Sequence, residues 1–217
     1  MGTTETNIHS RLLPPLGATV AILIKEFNRI PLERKAVVAQ LTRFVAEKVE
    51  AGQKASLNFI CTHNSRRSHL AQLWAQAAAY YYGIPGVECF SGGTEATAFN
   101  TRVVEAMRDA GFSILQTKEG TNPIYQVRFS EGGPMVAAFS KRYDDPFNPS
   151  KDFAAIMTCS HADENCPLVM GASARIALTY DDPKEFDGTQ KEAMMYMERV
   201  HQIGREILFA FSEIKSK

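Results

Sequence analysis

One stretch of this chain restricts its fold more than any other. The apolar run 57–60, Leu57-Asn58-Phe59-Ile60, passes without a turn residue into Cys61-Thr62-His63-Asn64-Ser65-Arg66-Arg67-Ser68, and a helical pattern then continues to Gly83. A strand that turns this tightly into a helix requires an α/β sheet with the turn at its carboxyl edge. Such a turn can aim several backbone N–H groups at one point, and the helix N-terminus adds positive potential there, so a tetrahedral oxyanion can be held with few side chains. Five residues separate Cys61 from Arg67, whose guanidinium can add a two-pronged contact to the same anion. The same field favours the thiolate of Cys61 as a nucleophile. Ser68 can donate to the sulfur and Asn64 can brace the loop from inside, so residues Thr62, His63, Asn64, Ser65, Arg66, Arg67 and Ser68 form the candidate substrate cradle.

Two more cysteines, Cys159 and Cys166, follow about a hundred residues later, seven apart. Phosphate ester cleavage needs a thiolate and an arginine but has no use for further thiols, whereas reduction does. Residues seven apart on an intact helix are ~10.5 Å apart along its axis, and a disulfide needs Cα atoms within about 7 Å. A Cys159–Cys166 bond therefore requires a loop or a helix that unwinds. The polar stretch Ser160-His161-Ala162-Asp163-Glu164-Asn165 before Pro167 is suited to that change.

The rest of the chain fits the same frame. Its 217 residues, 45% hydrophobic, suffice for one well-buried α/β domain with an extension. Lys+Arg and Asp+Glu both number 24, so bulk charge gives no reason to expect nucleic acid or an anionic membrane as partner. The apolar run 18–24 is broken by Lys25 and Glu26, and neither a signal peptide nor a membrane span is expected. Four cysteines in such a chain read as reduced thiols, placing it in the cytoplasm. Pro14-Pro15-Leu16-Gly17 separates a polar tail from a helical segment, and a further helix runs from Pro31 to a stop at Gly52. Residues 1–53 are thus a tail and helical arm, a candidate dimer surface, and residues 54–217 the main domain. Within the latter, strands are expected at 87–90, closed by Gly92-Gly93, and at 153–158, with helices at 100–110 and 189–214. Residues 122–152 form an insertion that reads as a hairpin, 124–129 and 135–139, followed by an irregular Asp/Pro/Asn stretch. Cys89 reads as a core thiol, and no group has the spacing of metal ligands, so neither metal nor cofactor is expected.

Four blocks carry a family resemblance: residues 60–68, residues 90–95 (Phe90-Ser91-Gly92-Gly93-Thr94-Glu95), residues 158–167 and Asp181-Asp182-Pro183. From about Leu57 onward, with one gap, the chain resembles the low-molecular-weight protein tyrosine phosphatase superfamily, and more narrowly its thioredoxin-coupled arsenate reductase branch. That resemblance implies a three-layer α/β/α fold with a mostly parallel sheet. It also implies that Cys61 attacks arsenic(V), that Cys159 attacks Cys61 to release arsenite, that Cys166 then forms a Cys159–Cys166 disulfide, and that thioredoxin reduces it. Asp182 matches the family's general acid by position. Asp144-Asp145-Pro146 repeats the dipeptide inside the insertion, and the turn chemistry of both copies is the same. His63 stands where the reductases usually carry glycine, where a side chain would strain a backbone of positive φ, and Gln72 where they often carry an acidic residue. Two other readings use the same residues: a phosphatase working with Cys61, Arg67 and Asp182 alone, and a non-catalytic redox or anion-sensing module.

Overall fold

Residues 11–165 and 168–214 are described by a computed structural model. The central sheet has four parallel strands in the order β2-β1-β6-β7, formed by β1 (Ala55–Cys61), β2 (Val87–Gly93), β6 (Phe153–Met157) and β7 (Ala172–Ala177). Side chains on β6 alternate between the two faces: Ala154 and Ile156 enter the main core, whereas Phe153, Ala155 and Met157 face the other side with Ile60 and Cys61. Over the main core lie α2 (Leu32–Glu50), α3 (Arg67–Tyr82) and α6 (Glu192–Ser212). The opposite face is covered by the short α5 (Ser160–Asn165) and by the irregular segment 141–152, from which Tyr143 packs on Ile60 and Cys61's cluster. The expected three-layer α/β/α arrangement is therefore present, with a thin third layer.

The pattern-derived helices and strands fall close to their expected places. The last helix is shorter than 189–214, since Thr189 and Lys191 build a turn that precedes Glu192. Gly92 and Gly93 belong to β2 rather than closing it, pairing with Ile60 and Cys61. Three features differ from the sequence reading. Pro14 and Pro15 do not separate a tail from a helix but open α1 (Pro14–Lys25), because a first-turn proline loses no helical hydrogen bond. The hairpin of β4 (Ile124–Arg128) and β5 (Val136–Ala138) gains a third antiparallel strand, β3 (Ser113–Lys118), which shows only one buried side chain and so no alternating pattern. β7, Ala-Ser-Ala-Arg-Ile-Ala, carries no strong strand signal in its composition; its edge position and pairing to β6 decide it. α4 (Thr101–Asp109) completes the set, capped by Asn100, whose Oδ1 accepts from the N–H of Arg102 at 3.0 Å.

The N-terminal helices share the main core. Leu16, Val20 and Leu23 of α1 and Val38, Leu41 and Val45 of α2 are wholly buried. α1 can approach α6 because of Gly204: a Cβ there would lie 2.6 Å from Trp74 and 3.0 Å from Leu23. Glu206 on α6 pairs with Arg34 on α2 at 2.5 Å, and both are largely shielded from water. Among the described residues, no helix is long and apolar enough to cross a membrane. Since Leu23 is packed as tightly as a sheet residue, Leu23→Ala should lower unfolding free energy by about 2–5 kcal/mol in urea titration; a loss below about 1 kcal/mol would make α1 a peripheral appendage.

Candidate active site

The loop between β1 and α3 is held by its carbonyls. The carbonyl of Cys61 accepts from the N–H of Thr94 (3.1 Å), that of Thr62 from the N–H of Glu95 (2.8 Å), and that of Ser65 from the N–H of Asn100 (3.0 Å). The carbonyl of His63 accepts from the hydroxyls of Ser140 (2.9 Å) and Thr97 (3.2 Å). With the carbonyls turned outward, the N–H groups of residues 62–66 have no protein acceptor among the described residues, which is the arrangement of an anion-binding nest. Gly93 makes the fit possible: a Cβ there would lie 2.6 Å from both the Thr62 carbonyl oxygen and the Asn64 nitrogen. Asn64 takes the left-handed conformation, φ 43°, which asparagine tolerates better than most residues. His63, at the position where a glycine was expected, has no positive φ, so its side chain brings no backbone strain.

Asn64 is wholly buried and wired at both ends. Its Oδ1 accepts from the N–H of Lys141 at 2.9 Å, and its Nδ2 donates to Ser68 Oγ at 2.9 Å. Ser68 Oγ in turn lies 3.1 Å from Cys61 Sγ. Because Asn64 already supplies a proton to Ser68 Oγ, the serine's own hydroxyl proton is left to point at the sulfur. The insertion thus supplies the far end of a chain of polar contacts that reaches Cys61. Ser140, fixed by paired contacts with Asn122, holds the neighbouring carbonyl.

The two arginines face the Asp182 segment. Arg67 donates through Nη2 to Asp182 Oδ2 at 2.7 Å and through Nη1 to the Tyr180 carbonyl at 2.9 Å. Its Nε is buried without a partner among the described residues. Arg66 donates to the Tyr196 hydroxyl at 3.0 Å and lies 3.8 Å from Asp182 and 3.6 Å from Asp187. The second Asp-Pro copy is used locally: Asp144 pairs with Arg142 at 2.9 Å, and Asp145 accepts from the N–H of Phe147. Asp182 is the copy that touches the loop's arginines.

Cys159 follows β6 and is 1% exposed, in the same apolar cluster as Cys61. Its sulfur accepts from the N–H of Ala162 at 3.3 Å and lies 3.5 Å from Thr62 Oγ1, one residue beyond Cys61. Thr62 Oγ1 also meets His161 Nδ1 at 3.2 Å. Cys166 lies outside the described residues. Cys89 is buried beneath α3, and burial raises its thiol pKa far above the ordinary value. His69, wholly buried and stacked on Phe99 at 4.1 Å, has its pKa pushed well down, first by burial and then by the Lys141 charge.

The structure therefore brings Cys61, Asn64, Ser68, Arg67, Asp182 and Cys159 to one edge of the sheet. Missing from the sequence reading were Ser140 and Lys141 as loop supports, Tyr196 and Asp187 as partners of Arg66, and Thr62 as the link to Cys159. No local pattern marks these, since each acts across a long stretch of chain.

Two consequences can be measured. Gly93→Ala must displace the Thr62 carbonyl or the Asn64 amide, so phosphate affinity, read by isothermal titration, should fall at least tenfold, about 1.4 kcal/mol, while the circular dichroism of the folded protein persists. His69 is held neutral in the folded state, whereas the unfolded chain protonates it below its ordinary value near 6.5. The unfolded state then binds more protons, so stability should drop as pH falls from 7 toward 5, and His69→Phe should flatten that decline in urea titrations.

Comparison with known proteins places the chain. No family model matches it. It is 29% identical over 157 residues to an arsenate reductase of Bacillus licheniformis, covering 71% of this chain and 93% of that protein. It is 30% identical over 132 residues to arsenate reductase 2 of Staphylococcus epidermidis, covering 60% of this chain and 79% of that protein. Among solved structures, a low molecular weight phosphotyrosine phosphatase from Vibrio cholerae O395 overlays with TM-score 0.49 at 12% identity, over 73% of this chain and 95% of that one. With Cys61, the Gly92-Gly93 pair and Cys159 at the positions just described, the chain belongs to the arsenate reductase family.

Proposed function

We propose that this chain reduces arsenate to arsenite by a cascade of three thiols. The observation that carries the reading is the second sulfur: Cys159, buried and 3.5 Å from the hydroxyl of Thr62, in the cluster that contains Cys61. A hydrolase built on Cys61, Arg67 and Asp182 has no task for it. Membership of the arsenate reductase family supports the same substrate.

The steps follow from the groups present. Loop N–H groups and Arg67 hold the oxyanion, and the Cys61 thiolate attacks arsenic(V) while Asp182 delivers a proton to the departing oxygen, which leaves as water. Cys159 then attacks Cys61 Sγ. The S–As electron pair stays on arsenic, arsenite leaves, and a Cys61–Cys159 disulfide forms, so the two thiols are oxidised as arsenic is reduced. Cys166 attacks Cys159, freeing Cys61, and a dithiol reductant of the thioredoxin class returns the Cys159–Cys166 disulfide to thiols. The six-residue α5 lies between the two cysteines. It must lose its helical turns for that disulfide to close, and its short length and polar sequence make the change inexpensive.

The test couples arsenate to NADPH oxidation through thioredoxin and thioredoxin reductase, beside hydrolysis of p-nitrophenyl phosphate. Arsenate-dependent turnover is expected to vanish in Cys61→Ser and Cys159→Ser. Cys166→Ser should retain one turnover and then stop. Sustained cycling in the Cys166 variant would remove the relay, and efficient aryl phosphate cleavage indifferent to Cys159 would make the chain a phosphatase.

A further inference from the structure

Lys141 raises a question that the active site does not answer. The residue is 5% exposed, yet among the described residues no carboxylate lies within ion-pairing distance of its Nζ. The ammonium has a 3.5 Å contact with the Phe139 carbonyl and lies 4.5 Å above the Phe139 ring. Burial pushes its pKa down to about 8, partly offset by the charge of Asp145. Its backbone N–H holds Asn64, but any residue other than proline offers that contact. A long cationic side chain is not needed for the strut.

The side chain lines a cavity of about 260 Å³ between β2, α3 and the inserted hairpin. The walls include the rings of Phe90, Phe139 and Phe147 and the thioether of Met135. Phe147 and Met135 remain 69% and 59% exposed at this surface, although Phe147 packs edge-on against Phe139 at 5.3 Å. Gln72, Gln76 and Glu88 complete the polar part of the lining: Gln72 is 4% exposed and its Nε2 donates to the Cys89 carbonyl at 3.0 Å, while Glu88 pairs with Lys54 at 2.5 Å. A mostly apolar, aromatic-walled space with a few polar groups is the usual composition of a small-molecule pocket. Buried polar groups are ordinarily satisfied, so the Lys141 ammonium, held by one 3.5 Å carbonyl contact, specifies an anionic complement.

We propose that this cavity binds a small aromatic carboxylate. The carboxylate accepts from Lys141 Nζ, and the ring lies among Phe90, Phe139 and Phe147. The site is separate from the anion loop, and it does not depend on the reduction chemistry.

Indole-3-acetate supplies the carboxylate and the aromatic ring and serves as the probe, titrated calorimetrically into the full chain. Saturable one-to-one binding is expected, with indole-3-acetamide, which lacks the charge, at least about tenfold weaker. Lys141→Met should cause a similar loss, with a urea midpoint at least equal to that of the parent protein. Excess inorganic phosphate should leave indole-3-acetate binding unchanged. Equal affinity for the acid and the amide, competition by phosphate, undiminished binding in Lys141→Met, or no saturable heat would each overturn the proposal. The acid–amide comparison on the unaltered protein decides the matter even if the variant does not fold.

Discussion

Turning the backbone from β1 into α3 within five residues leaves several peptide groups to be satisfied outside any helix or strand. The molecule resolves this by tying the loop's carbonyls outward, to the N–H groups of Thr94, Glu95 and Asn100 and to the hydroxyls of Thr97 and Ser140. The loop N–H groups are then left without a protein acceptor among the described residues. Each neighbouring element is constrained by this arrangement. β2 must end in glycine because its backbone lies against the loop, α4 must begin where Asn100 can reach Ser65, and the insertion must return to the sheet at Ser140 and Lys141.

The insertion is therefore more than an addition to a compact domain. Its hairpin buries Tyr125, Val127 and Ala138 in the main core, and Phe129 meets Tyr80 of α3 edge-on at 5.5 Å. Its trailing segment runs beside β2, with Gly93 N–H donating to the Lys141 carbonyl and Tyr143 N–H to the Gly93 carbonyl, both at 2.9 Å. Packing of the hairpin fixes the position of the strut, and the strut fixes Asn64. Mechanical support for the loop after Cys61 thus originates in the segment from Asn122 to Lys141.

On the other edge of the site, the two arginines and Asp182 balance one another. Arg67 spends two of its donors on Asp182 and Tyr180, and Arg66 is shared among Tyr196, Asp182 and Asp187. These contacts tie the loop to α6 and to the turn that precedes it. An oxyanion entering the loop would compete with Asp182 for Arg67.

Much of the fold was written locally. The strand into Cys61, the helix to Gly83, the second helix of the arm and the β4–β5 hairpin follow from periodicity and stop residues, because hydrophobic spacing reports the face that must be buried. Residue identity also singled out Cys61, Arg67 and the later cysteines as candidate groups, and the family resemblance pointed to Asp182. What only the tertiary structure decided were contacts between distant segments. Among these are the contact of Asp182 with Arg67 across 115 residues, the pairing of Asn64 with Lys141 across 77 residues, and the approach of Cys159 to Thr62 across 97. β3 and β7 belong to the same group, since β3 shows little alternation and β7 is built of weak strand formers, so both are specified by their neighbours' unpaired peptide groups. The reason is physical: side-chain pattern is a local record of burial, whereas hydrogen-bond partners and close approaches are set by the packing of the whole chain.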